Sequence, residues 1–280
     1  MGSRERPSVG DNYVLTTGGE GEARLRLMDE VHGPSGREAC LARGLDTGWR
    51  VADIGCGIGT VACWFAAQVG PDGAATALDV SADQLAIGRA RAAGLGLGNV
   101  TFVEGSAYEP GLPEGEFDLV FSRLLLCHLN RPADALARMV ALLRPGGALV
   151  LQDLVMSAMF SDPQTWAYVR FAENARELCR TRGTDFDIGR RLFSMCRDEG
   201  LTDLAVAVDQ QGFATGERKR LWELTHVEAV PGLRAAGVGS EEDLLRMTTE
   251  LAEISRDETI LVVHPAQVIV SGIVPGGSVG

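Results

Sequence analysis

Lysine is nearly absent: Lys219 is the only one in 280 residues, and arginine supplies the rest of the positive charge. The 26 basic residues are outnumbered by 38 acidic ones, leaving a formal charge of -12. Nucleic acid is therefore excluded as the main partner, because a phosphate backbone is held by a surplus of Lys and Arg that releases its counterions. No apolar run approaches the roughly 18 residues of a membrane span, and the opening MGSRERPSVGDN lacks the apolar core of a secretory leader. A soluble, cytoplasmic protein with no membrane partner is expected. There is no Cys-x-x-Cys pair; Cys40, Cys56, Cys63, Cys127, Cys179 and Cys196 stand singly among apolar neighbours and read as reduced core thiols. His32, His128, His226 and His264 include no H-x-x-x-H pair with an acid beside it, so no metal is expected.

What is present is an alternation. Runs of strand length and apolar or β-branched character fall at 51–54, 75–80, 101–104, 119–122 and 148–153, with helical spacing between several of them, as at 59–69 and 82–93. Parallel strands need crossovers that bury both faces, so this order predicts a doubly wound α/β sheet. Two helices are expected between residues 21 and 45. After Asp153 the rhythm breaks into a long segment rich in Met and aromatics. A helix near 189–200, a strand at 204–209, a second helical insertion and a closing strand at 267–274 follow. The whole reads as a mostly parallel, seven-stranded sheet with helical cap insertions at about 154–185 and 216–255. Residues 1–47 form an N-terminal helical segment, 48–153 the ligand-binding core, and 154–280 the rest of the sheet with the cap.

The stretch Val51-Ala-Asp-Ile-Gly-Cys-Gly-Ile-Gly-Thr60 is a short strand running into alternating glycines and a helix. In an open parallel sheet, ligands bind beyond the carboxyl ends of the strands, where this loop sits. Gly55 and Gly57 let a ligand approach the backbone, Gly59 lets the next helix pack, and the helix N-terminus presents free N–H groups. Twenty positions after Gly59, Asp79 ends the next strand, where a carboxylate can accept both hydroxyls of a ribose. Together these point to an adenosine-containing ligand. Asp53 discriminates further, since an acid is unfavourable beside a pyrophosphate but suits the ammonium of an amino-acid tail. Gln84 can serve the ribose, and equally belongs to the capping box Ser81-Ala-Asp-Gln84. Arg24 can pair with a carboxylate by a bidentate fork or lie on a solvated helix face.

These residues resemble the class I S-adenosylmethionine-dependent methyltransferases, small-molecule type, over roughly residues 13–153. VADIGCGIGT is similar to that family's first motif, LDV to its ribose motif, and Leu142-Leu-Arg-Pro-Gly-Gly-Ala-Leu-Val150 to its turn before the fifth strand. The resemblance implies a Rossmann-like sheet and S-adenosylmethionine as cofactor. It places Asp53 and the backbone of Gly55, Cys56 and Gly57 on the methionine part, Asp79 on the ribose, Val80 on the adenine face, and Ser106 with Ala107 at its edge. The family has an aspartate where Ser106 stands, so adenine recognition leans on backbone here. Arg123 is placed near the methionine part, and Tyr13 in a segment that folds over the cofactor.

His128 follows the fourth strand, so it should sit where an acceptor meets the methyl group; a histidine there can act as general base or simply pack. Asp153 can face the substrate or cap the next turn. Arg218-Lys-Arg220 reads as a solvated face, and Trp166, Tyr168 and Trp222 as candidate pocket walls. The expected function is methyl transfer to a hydroxyl or amine of a small, largely apolar metabolite in bacterial natural-product biosynthesis. The alternatives are carbon methylation, use of the bound sulfonium in a cyclisation or rearrangement, and an NAD-dependent oxidoreductase. The expected partner is a small-molecule acceptor, with a homodimer through the N-terminal helices or cap as a further possibility.

Overall fold

The computed structural model describes residues 21–276, so Tyr13 lies outside the described residues. Strands β1 (Arg50–Ile54), β2 (Ala74–Asp79), β3 (Val100–Glu104), β4 (Phe117–Arg123), β5 (Leu143–Val155), β7 (Thr202–Asp209) and β10 (Ala266–Ile273) form one sheet in the order β3-β2-β1-β4-β5-β10-β7. All neighbours pair parallel except β10, which runs antiparallel to β5 and β7. This is a doubly wound, mostly parallel α/β sheet. Period-two alternation sends Val51, Leu119, Phe121, Val150 and Ile269 to one core, and Ala52, Ile54, Val120, Leu149 and Leu151 to the other. The first core is closed by α2 (Thr60–Val69) and the C-terminal half of α1 (Glu22–Ala42). The second is closed by α4 (Pro132–Leu142) and α6 (Leu192–Asp198). Helix α3 (Ala82–Gly94) begins at Ser81, whose hydroxyl accepts the Gln84 N–H at 3.3 Å, as the capping box predicts.

The structure corrects three expectations. The segment ahead of β1 is a single 21-residue helix, α1, although Pro34 stands inside it. Pro34 is exposed, as is Glu30, whose carbonyl the ring deprives of its donor, so water can reach the broken position, while Met28, Val31 and Cys40 are buried. The expected turn at 144–147 lies within β5, as a register shift between Phe117↔Leu143 and Leu119↔Ala148 with Gly146 at φ 80°. The first insertion is not wholly helical. Short strand β6 (Phe160–Asp162) precedes α5 (Trp166–Arg182) and joins β8 (Gly212–Phe213) and β9 (Leu261–Val263) in a separate sheet ordered β6-β9-β8.

Helices α5, α7 (Leu221–Ala235) and α8 (Glu241–Arg256) pack on one another, with a small core of their own around Leu178, Ala229, Leu233, Val238 and Leu244. They form the cap. At its base, in a 3-10 turn, Lys219 is 1% exposed and its ammonium donates to the carbonyls of Ala214 and Asp257. The basic run Arg218-Lys-Arg220 is therefore not a uniformly solvated face. All six cysteines are free thiols. Among the described residues no helix is long and apolar enough to cross a membrane, and no group of three or more His, Cys, Asp or Glu could hold a metal ion.

Candidate cofactor and acceptor site

β1 delivers the chain into the glycine loop, where Gly55, Gly57 and Gly59 all hold left-handed φ values of 78°, 53° and 69°. The loop is tied to the end of β2: the Gly55 and Cys56 N–H groups donate to the Leu78 carbonyl at 2.8 and 3.0 Å, and the Gly57 N–H donates to Asp79 at 2.9 Å. The second Asp79 oxygen accepts the Ser81 N–H at 2.9 Å. Burial raises the Asp79 carboxyl above its ordinary range, and these backbone donors oppose that rise. Asp79 thus fixes the loop and the start of α3 from one point.

Asp53 lies beneath the loop, 3% exposed, and one of its carboxylate oxygens has no partner among the described residues. Burial pushes its carboxyl up to about 7, with Arg123 opposing and Asp79 and Asp29 adding to the rise. Arg123, at the end of β4, forms an ion pair with Asp29 of α1 at 2.9 Å, while its Nη1 is buried without a hydrogen-bond partner among the described residues. Asp29 also accepts from Arg37 at 2.5 Å. Sequence reading missed Asp29, which aims the Arg123 guanidinium; on α1 it looks like one more charge among polar neighbours.

From the loop a cavity of about 510 Å³ runs into the cap. Arg24, Asp53, Gly55, Cys56, Gly57, Asp79, Val80, Gln84, Ala107, Arg123 and His128 all border it, so the structure brings eleven of the sequence candidates together. Two of the remaining positions lie off the cavity. Gly59 lies under the loop rather than on the cavity, against Phe102 and Gly88. Ser106 does not border the cavity; its hydroxyl accepts the Tyr108 N–H at 3.2 Å. Arg24 is 2% exposed and its Nε donates to Glu228 of α7 at 2.7 Å, so it joins α1 to the cap.

His128 sits in a 3-10 turn after β4, its ring edge-on to Phe186 at 5.2 Å. Burial, aided by Arg24 and Arg182, pulls its pKa down to about 4. Asp153 braces this turn instead of facing the cavity. Its carboxylate accepts the N–H groups of Cys127 at 3.1 Å and Leu154 at 2.9 Å. Of the candidate walls only Trp222 borders the cavity. Tyr168 is buried in the core beside it, and Trp166, at the start of α5, holds the Arg246 guanidinium 3.9 Å above its ring. Sequence reading passed over Asn174 and His226, which border the cavity too. Their signal was a polar residue at a core-facing helical position: Phe171, Asn174, Ala175 and Leu178 on α5, and Trp222, Thr225, His226 and Ala229 on α7.

The raised carboxyl makes Asp53 a source of instability. Unfolded, it loses its proton near 3.8; folded, near 7. Below pH 3.8 both states hold the proton and nothing is lost, whereas between pH 4 and 7 the folded state must keep a proton the unfolded state has released. The resulting destabilisation reaches roughly 4 kcal/mol and is constant above pH 7. Asp53→Asn removes the charge but leaves an unpaired amide, at a cost of about 1–3 kcal/mol. The variant is expected to be more stable than the parent at pH 8 by about 1–3 kcal/mol, with the gain gone at pH 4, as read from urea unfolding at both values. A parent-like midpoint at pH 8 would show the carboxyl to be ordinary.

Residues 51–147 match the family described as a methyltransferase domain. The ubiquinone/menaquinone biosynthesis C-methyltransferase UbiE of Pseudomonas savastanoi pv. phaseolicola is 38% identical over 116 residues, covering 41% of this chain and 45% of that protein. The chain thus matches about half the length of this curated relative. Among solved structures, the YcgJ protein of Bacillus subtilis superposes with a TM-score of 0.58 at 15% identity, over 88% of this chain and 100% of that one. Phosphoethanolamine N-methyltransferase 2 of Haemonchus contortus gives 0.53 at 17% identity, over 94% and 54%. At these identities the structural likeness speaks for the fold alone. The glycine loop, the acid ending β2 and the matched domain fall on the same residues, and this stretch carries a methyltransferase domain of the class I S-adenosylmethionine-dependent type.

Proposed function

We propose that this chain transfers the methyl group of S-adenosylmethionine to a hydroxyl or amine of a small, largely apolar metabolite, in bacterial natural-product biosynthesis. The observation that carries the reading is the continuity of the cavity: one chamber borders Asp79 at the glycine loop and Met247 in the cap. Its volume of about 510 Å³ lies in the range of small-molecule sites. A nucleoside and an acceptor can therefore meet without crossing solvent.

The buried groups suit the cofactor. Asp53 and Arg123 each carry a buried polar atom with no partner among the described residues, and both border the cavity. One offers a carboxylate oxygen to an ammonium, the other a guanidinium N–H to a carboxylate, the complement of an amino-acid tail. In this reading Asp79 takes the ribose with Gln84 beside it. The backbone at Gly55, Cys56 and Gly57 faces the methionine part, with Gly59 supporting the loop from below. Val80 and Ala107 flank the adenine, and Ser106 supports that edge through the backbone. Tyr13 is assigned to the cofactor, and Arg24 holds the cap against α1. When bound, the cofactor supplies an electrophilic methyl group. The protein's task is then to align the acceptor, exclude water and remove a proton. His128, neutral above about pH 4, can accept that proton at a ring nitrogen. The described part of the N-terminal segment, residues 21–47, and the cap regions 154–185 and 216–255 enclose the core 48–153. The protein works in the cytoplasm, on a small molecule and not on nucleic acid, and a homodimer through the cap or α1 is compatible with this arrangement.

Calorimetry should show S-adenosylhomocysteine binding and no comparable binding of NAD. Methyl-labelled cofactor incubated with an extract of the source organism should put label into a new small molecule, with His128→Asn slower by about 100-fold. NAD binding without the thioether would sink the cofactor assignment. A metabolite converted while the cofactor is recovered intact would replace methyl transfer by cyclisation or rearrangement.

A further inference from the structure

The cap end of the chamber carries three polar side chains whose hydrogen bonding is left incomplete. Asn174, Trp222 and His226 are 2%, 3% and 1% exposed, and Asn174 Oδ1, Trp222 Nε1 and His226 Nδ1 have no partner among the described residues. All three residues border the cavity. A buried polar atom without a partner is uncommon and unfavourable, so three such atoms on residues that line one space ask for a ligand.

Their partners elsewhere fix what each atom offers. His226 Nε2 lies 3.2 Å from the Leu244 carbonyl and 3.2 Å from the Thr248 hydroxyl. That hydroxyl donates to the same carbonyl at 3.0 Å. Neither neighbour has a hydrogen to give, so Nε2 carries the proton and Nδ1 is a bare acceptor. Asn174 Nδ2 donates to the Met247 sulfur at 3.3 Å, which leaves Oδ1 as a second acceptor. Trp222 Nε1 can only donate. The chamber's cap end therefore presents two acceptors and one donor. Burial holds His226 below its ordinary pKa, so the three groups are uncharged near neutrality. The walls between them are aromatic: Phe171 stands edge-on to Trp222 at 5.3 Å and tilted to His226 at 6.3 Å. Such walls favour a flat π-system.

We propose that Asn174, Trp222 and His226 form the acceptor-recognition site, and that its ligand is a neutral, flat molecule bringing at least two O–H or N–H donors and one oxygen acceptor, the pattern of a dihydroxylated aromatic ring. The inference rests on reading the chamber as shared by cofactor and acceptor. It assigns a substrate chemistry to residues that touch neither the glycine loop nor Asp79. A charged acceptor does not suit this end of the chamber, because the three groups are uncharged and the Arg24 guanidinium that borders the chamber is paired with Glu228 of the cap.

The test is a calorimetric titration of the full chain with 2,7-dihydroxynaphthalene and with its dimethyl ether, with and without saturating S-adenosylhomocysteine. The diol should bind the wild type at least about tenfold more tightly than the ether, because the ether has no hydrogen to give Asn174 or His226. Asn174→Leu, close in shape, should weaken the diol about tenfold and leave the ether and S-adenosylhomocysteine unchanged. Equal binding of diol and ether to the wild type, no binding of the diol, or a folded Asn174→Leu protein with undiminished diol affinity would overturn the proposal. Should Asn174→Leu fail to fold, the wild-type pair of ligands decides alone. Absence of S-adenosylhomocysteine binding would bring down the cofactor reading, while the diol result would still decide the site.

Discussion

Asp79→Ala is expected to weaken S-adenosylhomocysteine binding by at least about 100-fold. Two losses coincide in this substitution. The carboxylate that would receive the ribose hydroxyls disappears, and hydrogen bonds to a charged group contribute about 1.5–3 kcal/mol each. The same carboxylate also accepts the Gly57 and Ser81 N–H groups at 2.9 Å, so the glycine loop and the start of α3 lose the point that holds them together. Calorimetry on the purified variant measures the first effect, and amide hydrogen exchange over residues 55–59 and 81–84 measures the second. Exchange there should quicken relative to the core strands. Unchanged affinity would show that the ribose is held elsewhere. Asp79→Asn should restore one backbone bond and only part of the affinity, since its amide cannot accept at both oxygens.

Gly59→Val is expected to have the largest effect on folding. At φ 69° a residue with a Cβ is strained by about 1–2 kcal/mol. A Cβ at Gly59 would lie 2.6 Å from Phe102 and 3.2 Å from the Gly88 backbone, so the overlap adds about 1–3 kcal/mol. Gly88 of α3 meets the same ring from its own side, with a Cβ there 2.4 Å from it. Phe102 of β3 is thus clamped between two glycines, and neither helix can retreat without opening the sheet edge. A destabilisation of about 2–5 kcal/mol follows, read from urea unfolding, or insoluble protein where that exceeds the reserve. A variant with the parent's midpoint would mean that α2 can shift freely against α3.

The sheet was legible because its signal is local. Strands buried on both faces read as short apolar runs, and each of the seven appears within a residue or two of its predicted ends, apart from β5, which extends back through the Arg-Pro-Gly-Gly turn. The glycine loop and Asp79 were legible for the same reason: spacing along the chain determines where they end up. What stayed hidden depends on elements meeting from far apart. β6, β8 and β9 have three, two and three residues, too short for any periodicity, and exist only because they find one another. Pro34 suggests a break that α1 avoids only because that position faces water. Trp166 and Tyr168 looked like walls as aromatics in an insertion, but helix phase turned them elsewhere. Asn174 and His226 were indistinguishable from satisfied core residues until α5, α7 and α8 came together and left their acceptors without donors.

The buried Lys219 has a practical consequence for handling the protein. With the one lysine side chain of the sequence 1% exposed and donating to two carbonyls, the folded surface offers amine-directed reagents no side-chain target. Acylation at Lys219 becomes a chemical clock for opening of the cap's base.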